Sequence, residues 1–274
     1  NLRGQPLLVD PGTYVYQYNH PHRMYCESTR GHNTVEIDGL NYSRFGQDGF
    51  GSAVTLVAKA DECIIAEGRV HHTRLISSAI PNNEIKSTDA LPVDIHQRRI
   101  IIERPGYFLA VIDVLNSETN HEYTPWYHIH PNLLARKDSS TRLGVYDEDG
   151  NKHCQIQCYD SDANSIESIK AKGQIKPRLQ GWHSKNGREL EENTAIGFPL
   201  SGKSCFAVTV FDFKMENTGI PYLRIGTNGK YLRFSLVQGK KKVDVRLRTD
   251  VAGKSTEEVE VDDSSVDVSI ISND

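Results

Sequence analysis

Asp10 and His32, 22 positions apart, are of the types that ligate a metal ion, one through a carboxylate oxygen and the other through an imidazole nitrogen. Asp10 closes the apolar stretch "PLLVD" and precedes Pro11-Gly12, a placement that also suits a turn, because its carboxylate can accept the N–H two residues on. His32 heads "HNTVEID". Read as a strand, this segment points Val35 and Ile37 to one face and His32, Thr34, Glu36 and Asp38 to the other. A histidine on such a polar face either bonds a neighbour or ligates a metal, with its second ring nitrogen held by a carboxylate or carbonyl. The two residues can meet if their strands pair, and a metal would need two or three further ligands.

Other residues could bind rather than react. "TYVYQY" reads as a strand with Tyr14, Tyr16 and Tyr18 on one face, either a packed aromatic seam or the wall of a sugar-binding cleft. "HHTR" at 71–74 reads as a surface strand. "HEYTPWYHIHP" puts Trp126, His128 and His130 on one face and Tyr127 and Ile129 on the other. Its His-x-His could present two imidazoles to one ion, but no third ligand stands nearby in sequence, so a polar cross-strand or cleft role is expected.

The elements that must position these residues are strands. Period-two alternation runs through "AVTLVAKA" (53–60), "HQRRIIIER" (96–104), "YFLAVIDVL" (107–115), "KHCQIQCYD" (152–160), "CFAVTVFDF" (205–213), "YLRFSLVQ" (231–238) and "KVDVRLR" (242–248). Turn signals separate them, among them Arg104-Pro105-Gly106 and Asn228-Gly229. No amphipathic helix of three turns is evident. The expected fold is all-β, a large two-sheet antiparallel β-sandwich forming a single domain over residues 1–274. The acidic tail, with "VEV" and "VDVSII" still alternating, is expected to be an edge hairpin whose charges discourage further pairing.

Composition narrows the function. A net charge of −4 argues against nucleic acid as a partner, while a polyanionic substrate needs only a local basic cleft. No run of about 18 apolar residues occurs, so no membrane span is expected. Five cysteines are too few and too scattered for a disulfide scaffold and contain no CxxC pair; Cys154 and Cys158 share a strand face as idle thiols. The chain starts with Asn1, so a removed leader or a longer parent is expected.

Taken in order, "LLVDPGTYVY", "STRGHNTVEIDG", "QRRIIIERPGYFLAVIDVL", "YHIHP" and "QGWHSKNGRELEENTAIGF" resemble the C-terminal β-domain of the heparinase II/III-like polysaccharide lyases. "DPGTY" with "HNTVEIDG" is the specific part. The resemblance implies a parent with an N-terminal α/α toroid, absent here, and an acidic polysaccharide (heparin/heparan sulfate- or alginate-like) lying between toroid and sandwich. It implies that Asp10 and His32 bind zinc together with a histidine upstream of Asn1. The implied reaction is β-elimination: a base removes the proton α to the uronate carboxylate, and the C4 oxygen departs with a proton from a tyrosine. Tyr14, Tyr16, Tyr18, Arg30 and Asn33 are the candidates to assist in the cleft. The parent is expected to be periplasmic or secreted, and these 274 residues inactive alone. The competing expectation is a non-catalytic carbohydrate-binding or structural β-sandwich.

Overall fold

Arg104-Pro105-Gly106 reverses the chain between two long strands, and Tyr107 N–H closes the turn on the Arg104 carbonyl at 3.0 Å. Gly106 has φ 75°, and no atom lies within 4 Å of where its Cβ would stand, so glycine is required there for conformation and not for space. The computed structural model describes residues 4, 6–43, 52–60, 62–81, 83–215, 224–225, 231–238, 241–248 and 266–272.

The strands follow the alternating segments. They are β1 (Val35–Ile37), β2 (Asn41–Tyr42), β3 (Ser52–Ala60), β4 (Cys63–Ile76), β5 (Ala90–Arg104) and β6 (Phe108–Ile129). Next come β7 (Leu134–Lys137), β8 (Arg142–Tyr146), β9 (Lys152–Tyr159), β10 (Ile169–Lys172), β11 (Trp182–Ser184), β12 (Leu190–Glu192), β13 (Thr194–Gly197) and β14 (Leu200–Asp212). A last group holds β15 (Arg224–Ile225), β16 (Tyr231–Gln238), β17 (Lys241–Arg248) and β18 (Val266–Ser272). All pairings are antiparallel. The largest sheet has 12 strands along the path β2-β4-β5-β6-β14-β9-β8-β7, with β1, β3, β10 and β13 branching from it; β11-β12 and β15-β16-β17-β18 form two smaller sheets. The fold is all-β, as expected from the sequence. The Asn228-Gly229 turn and most of the acidic tail lie outside the described residues, and "VDVSII" forms β18 at the end of the four-stranded sheet.

Alternation along the central strands loads both faces. Ala110, Ile112 and Val114 of β6 pack with Ile65, Ile100, Ile102, Val208 and Val210. Val111, one step out of phase, packs on the opposite side with Ala207, Phe211, Ile156 and Val145. Cys154 and Cys158 sit together in that second cluster, and all five cysteines are buried. A third cluster joins Val35, Ile37, Leu75, Ile95, Leu115 and Tyr123 around β1. Burying such aliphatic side chains contributes roughly 1.5–3 kcal/mol each.

Strand β6, 22 residues long, is the spine. Its first half pairs with β5 and β14, and its last residues pair with β13, Trp126↔Gly197 through Ile129↔Thr194. One helix, α1 (Pro21–Glu27), lies before β1. Pro21 stands at its start, where no N–H is needed, and the His20 ring accepts from His22 N–H at 3.3 Å. With seven residues it is too short for the three-turn pattern sought in the sequence.

Candidate functional site

The site is made by one edge of β6. Residues 7–9 run along it, with His130 N–H donating to the Leu7 carbonyl and Val9 N–H to the His128 carbonyl, both at 2.9 Å. Further along the same edge and in the same direction runs β1, with Val35 opposite Pro125 and Ile37 opposite Tyr123. Between these collinear runs no backbone pairs with His128 N–H. The Asn33 side chain takes that place: its Oδ1 accepts from His128 N–H at 2.8 Å and its Nδ2 donates to the Val9 carbonyl at 3.0 Å. An amide side chain thus stands in for a ladder residue.

The chain therefore leaves the ladder after Val9 and rejoins it at Asn33, and the residues at the two ends of the excursion meet. His32 Nδ1 and Asp10 Oδ2 are 2.7 Å apart. Asp10 Oδ1 also accepts from Gly12 N–H at 3.2 Å, so both readings of Asp10, turn opener and partner of His32, hold together. The hydrogen bond from His32 holds the Asp10 carboxyl below its usual value, against the opposing pull of partial burial. His32 does not lie in a strand: it ends a 3-10 turn, Thr29–Gly31, and β1 begins only at Val35. The turn brings Gly31 so close to α1 that a Cβ would stand 2.6 Å from the Tyr25 carbonyl, which an extended segment would not do. Glu36, placed with His32 on the polar face, is buried, accepting from Trp126 Nε1 at 3.0 Å and from both Arg178 terminal nitrogens at 2.6 and 2.7 Å.

Beneath the pair lies His128, fully buried. Burial drives its imidazole down to about 3, with His32 pushing the same way, so it is neutral at physiological pH. The predicted division of faces holds, since Tyr127 and Ile129 enter the core while Trp126 turns to Glu36. The base of the site is anchored by charge. Arg99 grips Asp113 across β5 and β6 with two bonds of 2.7 and 2.9 Å, and its remaining nitrogen donates to the Asn33 carbonyl. Burial opposes the Arg99 charge, but Asp113 outweighs it and raises the guanidinium pKa.

The other predicted residues divide into two groups. Arg30 is buried, its Nε on the Leu179 carbonyl at 3.2 Å and its Nη1 on Ser78 Oγ at 3.0 Å, so its guanidinium fastens the turn to neighbouring loops. Asn33 is equally committed to the ladder. The expected tyrosine strand does not form: residues 13–18 are irregular, and Tyr14 has φ 66°, which no regular strand permits. Its ring instead meets His20 edge-on at 5.2 Å and His22 at 6.1 Å, and His22 stands edge-on to Trp182 at 5.0 Å. Tyr16 and Tyr18 face outward, Tyr16 at 91% exposure. A cavity of 230 Å³ opens beside His32, lined also by Glu27, Thr29, Thr34 and Tyr42. That is smaller than the roughly 300–1,000 Å³ of a complete ligand site.

The residues missed in the sequence are those that dock the excursion. Ser184 N–H donates to the Pro11 carbonyl at 2.8 Å, and Gly181 N–H to Tyr25 Oη at 3.1 Å. These partners are far apart in sequence and carry no local signal. Arg99 and Asp113 could have been found: each stands five residues from the Arg104↔Phe108 pair that closes the hairpin, so they face one another. As for a metal, Asp10 and His32 supply the oxygen and nitrogen donors that zinc takes. Among the described residues no third His, Cys, Asp or Glu donor joins them within 4.8 Å, so the described residues supply two donors of the zinc type here and not a full set.

Comparison with known proteins bears on the family and the fold. No curated protein matches the sequence. Solved structures do: a heparinase III gene product at 16% identity and TM-score 0.62, over 90% of this chain and 35% of the other; the heparan sulfate lyase HepC from Pedobacter heparinus at 14% and 0.60, over 89% and 35%; and a second heparinase III at 8% and 0.64, over 90% and 34%. The chain thus spans about a third of the length of these structures, and at such identities the likeness establishes a shared fold. Residues 2–218 match the family described as Heparinase II/III-like, C-terminal, and the chain belongs to that family.

Proposed function

We propose that this chain is the sandwich part of a polysaccharide lyase that cleaves uronate-containing acidic glycans by β-elimination. The observation that carries this reading is the family match over residues 2–218. The meeting of Asp10 and His32 at 2.7 Å beside an open cavity supports it locally. In the reaction a base takes the proton α to the carboxylate, the C4–O bond breaks, and the departing oxygen is protonated, leaving an unsaturated uronate. This chain's share is binding and positioning. The excursion offers aromatic surface to pyranose rings through Tyr14, Tyr16 and Tyr18, while Arg30 and Asn33 hold its ends in place.

We further propose zinc at Asp10 and His32, with the remaining ligands from outside the described residues, such as a histidine preceding Asn1. Zinc there would supply a fixed positive charge and a cross-link between the ends of the excursion. The substrate class is heparin, heparan sulfate or alginate, met outside the cytoplasm, and the parent is accordingly periplasmic or secreted, with an N-terminal toroid forming the other wall of the cleft.

The test is ultraviolet absorbance of unsaturated uronate. The parent protein, given each of the three glycans, produces a rise with at least one, and these 274 residues alone produce none. The exposed Tyr16 and Tyr18 favour a second reading, a glycan-binding module without chemistry. Glycan retention by the parent with no rise on any of the three would establish that reading in place of the lyase.

A further inference from the structure

The described residues contain one trio of His, Cys, Asp or Glu whose donor atoms all lie within 4.8 Å of one another, and it belongs to β4 and β5, not to the excursion: His71, Asp94 and His96. The antiparallel register sets His71 directly opposite His96. Asp94 precedes His96 by two residues and so projects from the same face of the sheet. His71 Nε2 is 2.7 Å from Asp94 Oδ1, and His96 Nε2 is 3.5 Å from the same oxygen. The two imidazoles stack at 4.2 Å with only 9° between their planes, and both turn Nε2 toward Asp94 Oδ1.

Its place in the fold explains why it is polar. Along this face the sheet passes from the apolar cluster of Ile65 and Ile102 to a buried ionic layer, in which Glu67 accepts from Arg69 at 2.6 Å and from Arg98 at 2.7 Å. The imidazole pair is the next cross-strand pair outward, after Arg69↔Arg98. Immediately beyond it the β4–β5 register shifts between His72 and Arg74, opposite the stretch that carries Asp94. Bulges re-aim side chains in this way.

We propose that His71, Asp94 and His96 form a binding site for a divalent transition metal of the zinc, nickel and copper class, separate from the Asp10–His32 pair. Two imidazoles and one carboxylate are the donors such ions select, and a single oxygen is too few for calcium or magnesium. Three protein ligands leave at least one position to water or an exogenous ligand. The side chains of His71, Asp94 and His96 are 42%, 70% and 34% exposed, so an ion enters without unfolding. Ligands at about 2.0–2.1 Å from a tetrahedral ion stand roughly 3.3 Å apart, so Asp94 must step back slightly from His71, which its exposure permits.

The test strips the protein of metal and titrates it with zinc alone, comparing wild type, His96→Ala, Asp94→Asn and His32→Ala by calorimetry. The proposal expects one equivalent of zinc lost, or its affinity reduced by about 100-fold or more, in His96→Ala and Asp94→Asn. That equivalent persists in His32→Ala, which separates this site from the other pair. A second readout is the thermal shift on adding zinc, larger in wild type than in Asp94→Asn. Equal stoichiometry, affinity and thermal shift in wild type, His96→Ala and Asp94→Asn would overturn it.

Discussion

Asp10 and His32 touch at 2.7 Å although they are 22 positions apart, because Asn33 splices the two runs that flank them onto one edge of β6. The contact itself adds little stability. Both partners are substantially exposed, 68% and 32% for the side chains, and pairs of that kind contribute about 0–1 kcal/mol.

His32→Ala is therefore expected to change the free energy of unfolding by less than about 1 kcal/mol. Asn33→Ala removes the partners of two main-chain groups, His128 N–H and the Val9 carbonyl, each costing about 1–3 kcal/mol when left unsatisfied. Urea unfolding of both variants should rank Asn33→Ala well below His32→Ala. Equal losses would mean that the Asn33 splice does not hold the excursion.

Gly12 offers a paired comparison with Gly106. Both have φ 75°, but a Cβ on Gly12 would stand 2.4 Å from the Ser184 carbonyl, while one on Gly106 meets nothing within 4 Å. Gly106→Ala carries only the conformational cost, about 1–2 kcal/mol. Gly12→Ala adds a clash with backbone and is expected to cost more and to expose the excursion to limited proteolysis. Matching losses in the two variants would show that Ser184 yields freely.

Acid should act through Glu67. Burial pushes its carboxyl up, but Arg98 and Arg69 together outweigh burial and hold it at about 2, against 4.5 ordinarily. The folded value is depressed, so the stabilisation is complete above about pH 4.5 and is lost as pH falls toward 2, on the order of 3 kcal/mol in all. Glu67→Gln should be destabilised by about 3–5 kcal/mol at neutral pH, because two buried arginines lose their anion. Its stability should also fall less steeply than wild type between pH 4.5 and 2. Parallel acid profiles would assign the acid sensitivity to other carboxylates.

Much of the fold could be read directly in the chain, since "AVTLVAKA" and "HQRRIIIER" lie within strands and "KHCQIQCYD" and "CFAVTVFDF" overrun theirs by one residue. Alternation signals a strand whenever one face is buried, and here it does so on both faces of the sheet. It failed over residues 13–18, where regularly spaced tyrosines imitate a strand but Gly12 and Tyr14 adopt left-handed backbone that forbids one. The types of Asp10 and His32 were legible. Their meeting was only permitted, because it rests on an asparagine acting as backbone and on long-range contacts to Ser184 and Gly181. The His71–His96 pair was hidden for another reason: the 13 residues 77–89 separate β4 from β5, too many for a tight turn to fix the register.

Since residues 7–9 and 34–37 lie end to end on the same flank of β6, everything from position 10 to 32 is topologically a cassette hung from an otherwise continuous strand. Its length can vary without breaking the β6 edge only where the splice residue, the two clasping ends and the contacts of Pro11 to Ser184 and Tyr25 to Gly181 are kept. The sheet edge and the loop hung from it are thus separable parts, the first fixed by backbone pairing and the second by side-chain contacts.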